Sequence, residues 1–198
     1  QPSALRWSAP PECPREAAVR AALPVTVKLS PVLCDLFPGS RREVTMAAAS
    51  VGEMIDERSV VNGVVGLHAT GGSTNHTIHL IAMAAAAGIK LTWQDISDLS
   101  DATPLLARVY PNGLADVNHF HAAGGLGFMI GQLMAGGLLH DEVKTIAGDG
   151  LSRYTQDPKL KDGTVEWVAG PTETLNEKIV RPIGDPFQPT GGLKRLAG

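Results

Sequence analysis

Ala69-Thr70-Gly71-Gly72-Ser73-Thr74-Asn75-His76 sets a double glycine directly before a run of hydroxyl and amide side chains. A double glycine ends a helix, because glycine takes the left-handed backbone of a helix C-terminus without strain. Ser73 or Thr74 can then cap a second helix through its hydroxyl. Downstream, Ile78, Ile81, Ala82 and Ala85 recur at i, i+3, i+4 and i+7, a stripe that predicts a helix ending at Gly88. Upstream, Met54, Val61, Val64, Val65 and His68 fall on one side at helical spacing. Ser50 with Glu53 fits a capping box, so that first helix is expected to begin at Ser50. The β-branched run within Ser59 to Val65 argues for a strand instead, but the cap and the length favour helix.

The same punctuation continues along the chain. Thr92 with Asp95 makes another capping box, opening a helix from Trp93 to about Ser100. Leu105 to Tyr110 reads as a short strand or a short helix, stopped by Pro111-Asn112-Gly113. Asp116 can cap a helix to Ala123; Gly124-Gly125 interrupts, and Leu126 to Ala135 resumes until Gly136-Gly137. Thr164 to Val168 is an expected strand, and the Pro- and Gly-rich stretch from Pro182 to Gly198 reads as a linker. At the other end, Pro2, Pro10, Pro11, Pro14, Pro24, Pro31 and Pro38 preclude long helices. Residues 1–45 are therefore expected to be irregular, with room for a short helix at Pro14 to Leu23 and a short strand at Val25 to Leu29. The fold class is α/β, rich in helix.

Composition narrows the function. Of 198 residues, 43% are hydrophobic and 19% charged, which excludes a disordered chain and a membrane protein. Lysine and arginine number 17 against 20 acidic residues, a net charge of -3, so no global positive field draws nucleic acid or an anionic membrane. Cys13 and Cys34 lack paired spacing, and the first residues lack a basic segment leading into an apolar one. These features predict a reduced, cytoplasmic protein.

Gly71 to His76 suits an anion, since exposed amides and the positive end of a helix dipole favour phosphate or carboxylate. The alternative is an ordinary helix connection with a capping serine. Neither the Lys and spacing of a P-loop nor a Gly-x-Gly-x-x-Gly fingerprint is present. His68, His76, His79, His119 and His121 lie in one stretch, but His76 and His79 are spaced i, i+3 rather than the i, i+4 of helical zinc pairs. Hydrogen bonding to substrate or backbone is the preferred role, and no metal site is assigned. Asp116, Asn118 and His119 beside Gly124-Gly125 form a second polar cluster, also readable as capping and packing. With no Gly-x-Ser-x-Gly elbow and no paired Cys and His, no catalytic residue is assigned.

Ile55-Asp56-Glu57-Arg58, the Ala69 to His76 stretch, Tyr110-Pro111-Asn112-Gly113, Asp116-Val117-Asn118-His119-Phe120, Ala122-Ala123-Gly124-Gly125 and Gly150-Leu151-Ser152-Arg153-Tyr154-Thr155 together carry a resemblance. In this order they resemble the family of dihydroxy-acid and phosphogluconate dehydratases, from about Ser50 to Gly198. Gly-Gly-Ser-Thr-Asn marks the wider family; His76, the Tyr-Pro-Asn-Gly turn and the Gly-Leu-Ser-Arg-Tyr-Thr run resemble its phosphogluconate branch.

The resemblance implies a lyase of the Entner-Doudoroff pathway that dehydrates 6-phospho-D-gluconate to 2-dehydro-3-deoxy-6-phospho-D-gluconate. The implied chemistry is β-elimination, in which a base takes the C2 proton and an iron of a [4Fe-4S] cluster takes the C3 hydroxyl. It also implies a phosphorylated sugar acid as small-molecule partner and a homo-oligomeric complete enzyme. Substrate contact is expected at Gly71, Gly72, Ser73, Thr74, Asn75 and His76, with Asp116, Asn118 and His119 as neighbours. The family's cluster cysteines precede Gly-Gly-Ser-Thr-Asn in motifs that Cys13 and Cys34 do not match, so no ligand cysteine is identified. Residues 46–181 are expected to be part of the dehydratase N-terminal domain and 182–198 a linker toward a missing C-terminal domain. Residues 1–45 do not match, as a truncated or out-of-frame reading would explain, and the chain is expected to be a fragment inactive alone. The alternatives are a dehydratase of another sugar acid or dihydroxy acid, or a catalytically empty helical fragment or interaction module.

Overall fold

The computed structural model describes residues 26–27, 44–45 and 51–196. The chain divides into two units, Gln1–Ser50 and Val51–Gly198. In the first, β1 (Thr26–Val27) pairs antiparallel with β2 (Val44–Thr45), Thr26 opposite Thr45 and Val27 opposite Val44. β1 falls within the strand expected at Val25 to Leu29. The helix expected at Pro14 to Leu23 and the Ser50 cap lie outside the described residues.

The second unit holds six α-helices, one short 3-10 helix (Ser152–Thr155) and two small hairpins among the described residues, a helix-rich mixture. Its first helical stretch differs from the single helix expected from Ser50. α1 (Val51–Met54) stops, and α2 (Glu57–Thr70) starts anew at Asp56. The reason is a second capping box: the Asp56 carboxylate accepts the Ser59 amide at 2.7 Å, and the Ser59 hydroxyl accepts the Asp56 amide at 2.9 Å. With Asp56 extended (φ -128, ψ -179), the chain cannot run through as one helix. The β-branched run after Ser59 is helical, held between this box and the left-handed Gly71 at φ 63.

α2 is buried on two sides. Val65 and Ala69 join Leu106, Ala107, Phe128, Met129, Leu133 and Val180 in one core, while Val64 and Leu67 join Leu80 and Ile96 in the other. α3 (Thr74–Ala86) and α4 (Trp93–Ala102) supply the second core, α4 opened by the expected Thr92 and Asp95 box. The buried face of α3 is Thr77, Leu80 and Ala84 with Ile81 half-buried, whereas Ile78, Ala82 and Ala85 of the expected stripe are exposed. From Leu80 to Ala86 every residue of α3 is apolar, so spacing alone does not select a face. Contact does: a Cβ on Gly63 of α2 would stand 3.1 Å from Leu80 Cδ2, so the glycine gives Leu80 room to dock.

Leu105 to Tyr110 forms neither a helix nor a full strand. Leu105, Ala107 and Val109 make single β-bridges to Gln188, Val180 and Ala115. α5 (Val117–Ala122) and α6 (Gly125–Ala135) follow, as the glycine pairs predict. β3 (Lys144–Thr145) pairs with β4 (Gly148–Asp149), and β5 (Gln156–Lys161) with β6 (Thr164–Ala169), the expected strand and an unanticipated partner. Residues 182–196 are held by hydrogen bonds such as Phe187 N to Leu105 O at 2.9 Å and Gly191 N to Ser100 O at 2.7 Å. Among the described residues no helix is long and apolar enough to cross a membrane.

His68 is fully buried on α2. Its Nε2 lies 2.8 Å from the Ile96 carbonyl, and Nδ1 has no partner among the described residues. Desolvation holds its pKa below the usual histidine value despite that hydrogen bond.

Two outcomes are expected. Asp56→Ala removes one half of the capping box and should cost about 1 kcal/mol, read as a lower urea midpoint at unchanged slope. For His68, the unfolded chain takes up a proton at the ordinary value near 6.5 while the folded chain resists until its depressed value. Stability from this group is complete above the unfolded pKa and is lost as pH falls below it. The drop in Tm between neutral pH and about pH 5 should therefore be smaller in His68→Gln than in the parent chain; equal drops would remove His68 from the account.

Candidate functional site

The double-glycine turn is built by the C-terminus of α2. Gly72 N donates to Leu67 O at 2.9 Å and Gly71 N to His68 O at 3.1 Å, the paired bonds of a Schellman motif with Gly71 left-handed. One residue later Ser73, extended at φ -86 and ψ 152, caps α3 by accepting the His76 amide at 3.2 Å. The amides of Thr74 and Asn75 are left without a partner among the described residues. Two free N–H groups at the positive end of α3 thus face outward, and Thr74, Asn75 and His76 are all exposed.

The turn is packed on its other side. A Cβ on Gly71 would collide with the Asn112 amide and stand 3.0 Å from Leu105 Cδ1, and a Cβ on Gly192 would collide with the Gly71 backbone. Glycine is thus required at Gly71 both by its positive φ and by the approach of Asn112.

Asp116, the second expected cluster, caps α5. Its Oδ1 accepts the His119 amide at 2.9 Å and lies 2.8 Å from His119 Nδ1. The His119 amide bond, with the imidazole beside it, holds the Asp116 carboxyl below the usual carboxylate range. Asn118 is exposed on the same turn.

Asn112, which packs on Gly71, and His119 of the second cluster line one cleft. This cleft of about 570 Å³ is lined by Asn112 and His119 together with Arg108, Lys178 and Gln188. Ser73, Thr74, Asn75, His76, Asp116 and Asn118 do not line it. Sequence reasoning missed Arg108, Asn112 as a side chain, Lys178 and Gln188. Arg108 is detectable as the one cation inside the apolar run Leu105 to Tyr110, but Lys178 and Gln188 arrive only through the bridges to Ala107 and Leu105. Of the other histidines, His76, His79 and His121 are exposed. Among the described residues no group of three His, Cys, Asp or Glu could hold a metal ion.

Residues 28–154 match the family model described as dihydroxy-acid/6-phosphogluconate dehydratase N-terminal, so the match begins within residues 1–45, which were expected not to match. The chain is 68% identical over 148 residues to a phosphogluconate dehydratase of Rhizobium meliloti, covering 74% of this chain and 24% of that protein. It is 50% identical over 175 residues to a phosphogluconate dehydratase of Escherichia coli strain K12, covering 85% and 29%. A dihydroxy-acid dehydratase of Sulfurisphaera tokodaii is 36% identical over 137 residues, covering 69% and 22%. The chain spans about a quarter of the length of the curated relatives it matches.

The Asp116 cap gives a pH signature. Because the folded carboxyl is held low, the cap is intact above the unfolded aspartate value, about 3.9, and is lost as pH falls through the lower folded value. The His119 amide resonance should titrate with a midpoint below that of an ordinary aspartate. A midpoint at the ordinary value would show that the cap is not formed in solution.

Proposed function

The chain belongs to the dihydroxy-acid/6-phosphogluconate dehydratase family, and we propose that the protein serves as a hydro-lyase converting 6-phospho-D-gluconate to 2-dehydro-3-deoxy-6-phospho-D-gluconate and water. This is a step of the Entner-Doudoroff pathway. Its substrate is anionic at both ends, with a carboxylate at C1 and a phosphate at C6. The observation that carries the reading is the pair of free amides of Thr74 and Asn75 beyond Gly71-Gly72, a turn whose Gly71 packs on Asn112 of a cleft with two cations. Higher identity to relatives named phosphogluconate dehydratase than to the one named dihydroxy-acid dehydratase supports the phosphorylated substrate.

The reaction is a β-elimination. The C2 proton leaves to a base, the C3 hydroxyl departs as water, and the C2 enol then takes a proton at C3 to become the ketone. Binding of the carboxylate at the α3 N-terminus lowers the cost of negative charge developing beside C2, because fixed N–H dipoles need no reorganisation. The family resemblance brings an iron-sulfur cluster with it. The described residues contain no cysteine and no three-residue metal group, so they do not fit its ligand set, and none of these steps is routed through it.

Binding tests the reading. A melt of the chain should shift upward with 6-phospho-D-gluconate, by an amount equivalent to about 2.7 kcal/mol at a hundred times Kd, and much less with D-gluconate, chloride or sulfate. Thr74→Pro, which removes one of the two free amides at the first helical position after the extended Ser73, should weaken the shift. No response to 6-phospho-D-gluconate at millimolar concentration would count against the assignment.

A further inference from the structure

We propose that the cleft of Arg108, Asn112, His119 and Lys178 is a phosphate-monoester site that receives the phosphorylated end of the ligand, an inference resting on the phosphorylated sugar-acid reading above. Charge is the first support. Arg108 and Lys178 both line the cleft, and no carboxylate does, in a chain whose net charge is -3.

Availability is the second support. Arg58, Lys161, Arg181 and Lys194 pair with carboxylates, but the Arg108 guanidinium and the Lys178 ammonium have no ion pair or hydrogen bond among the described residues. Arg108 is nonetheless oriented, with Cζ 4.5 Å from the centre of the Phe187 ring. Arg181 approaches the same ring at 4.6 Å, but its charge is answered by Asp185 at 3.5 Å. Stacking on Phe187 fixes the plane of a fork whose N–H donors remain free, a geometry that matches two phosphate oxygens at once.

Positioning is the third support. Arg108 N donates to Ile179 O at 2.8 Å, which joins the two walls of the cleft. Asn176 Oδ1 accepts the Lys178 amide at 3.1 Å, and Asn176 N donates to Thr174 Oγ1 at 3.2 Å, so Lys178 stands on a bonded turn. His119 has its Nδ1 engaged by Asp116, which leaves Nε2 as its remaining polar atom. Asn112 adds an amide with no partner among the described residues. A volume of about 570 Å³ exceeds a phosphate alone and leaves space for the sugar chain. Because Asn112 packs on Gly71, the cleft abuts the double-glycine turn, and the α3 amides are left for the carboxylate end.

The experiment is calorimetric titration of the whole chain and of Arg108→Gln, Lys178→Gln and the double variant. Three ligands separate the ends: 6-phospho-D-gluconate, D-glucose 6-phosphate with the phosphate alone, and D-gluconate with the carboxylate alone. Each single change should weaken both phosphorylated ligands about tenfold, and the double change about a hundredfold, with gluconate affinity unchanged. Lys178 is exposed, so Lys178→Gln should fold normally, and an unshifted melt of the free variant checks this. Phosphorylated ligands that bind the double variant as tightly as the parent would overturn the cleft while sparing the substrate reading. Failure of both phosphorylated ligands to bind the parent chain would overturn it as well. If glucose 6-phosphate loses affinity as expected but 6-phospho-D-gluconate binds no better than it does, the phosphate site stands and the sugar-acid reading falls.

Discussion

The carbonyl of Ala69 accepts two backbone amides, Leu106 N at 2.8 Å and Ala107 N at 3.0 Å. This double acceptance ties the last turn of α2 to the extended 105–109 segment at the point where α2 must release its carbonyls. Much else depends on it. Leu105, Ala107 and Val109 are thereby set to bridge Gln188, Val180 and Ala115, and Arg108 is carried between two of those bridges. Gly192 N donates to His68 O at 3.2 Å, so the C-terminal stretch packs on the same turn. An arrangement with Gly71 left-handed, Asn112 against it and Gly192 over it has few ways to relax. Rigidity of this kind is what an anion site made of backbone amides needs, since its dipoles act only if they are already aligned.

His68 shows how the second core is fastened to that point. A fully buried imidazole is costly unless its nitrogens are satisfied, and here one nitrogen reaches the Ile96 carbonyl while the other has no partner among the described residues. The bond reaches from α2 to α4, so the orientation of α4 is set by a polar contact inside an otherwise apolar layer of Val64, Leu67, Leu80 and Ile96. Ser100 on the same helix donates to Leu193 O at 2.5 Å, extending the connection to the segment that covers the turn.

What was legible in the sequence was local. Caps by Ser73, Thr92 with Asp95, and Asp116 involve residues three apart, and Gly71 declares its backbone by lacking a side chain. What was not legible depended on partners distant along the chain or on competition between similar local signals. Ser50 with Glu53 and Asp56 with Ser59 are both plausible boxes, and α2 starts at the second. The buried face of α3 is chosen by Gly63 against Leu80, not by the spacing of its own apolar residues. β5 was missed because Pro158 and three charged residues make Gln156–Lys161 look like loop, yet its pairing with β6 runs the whole strand. In the site, the polar residues beside glycines were visible, but Arg108 and Lys178 converge only through the bridge of Ala107 to Val180.

The distribution of charge completes the picture of why a basic cleft can persist on an acidic chain. Glu53, Asp56, Asp141, Glu142 and Asp149 gather around a separate cavity of about 370 Å³, where Arg58 reaches Glu142 at 3.1 Å. None of these carboxylates lines the cleft of Arg108 and Lys178. At physiological ionic strength exposed charges beyond about 8 Å are largely screened, so the net charge of the whole chain says little about either cavity. A cation that is solvated and unpaired keeps its full capacity for an incoming anion, whereas one already in a salt bridge must first give up a partner. Arg181 and Arg108 share one aromatic ring and differ in their partners: Asp185 and the Glu177 carbonyl engage the first, and the second lines the cleft. The aromatic contact supplies the orientation a carboxylate would otherwise provide, without neutralising the charge, and the guanidinium is held in place while its donors stay open.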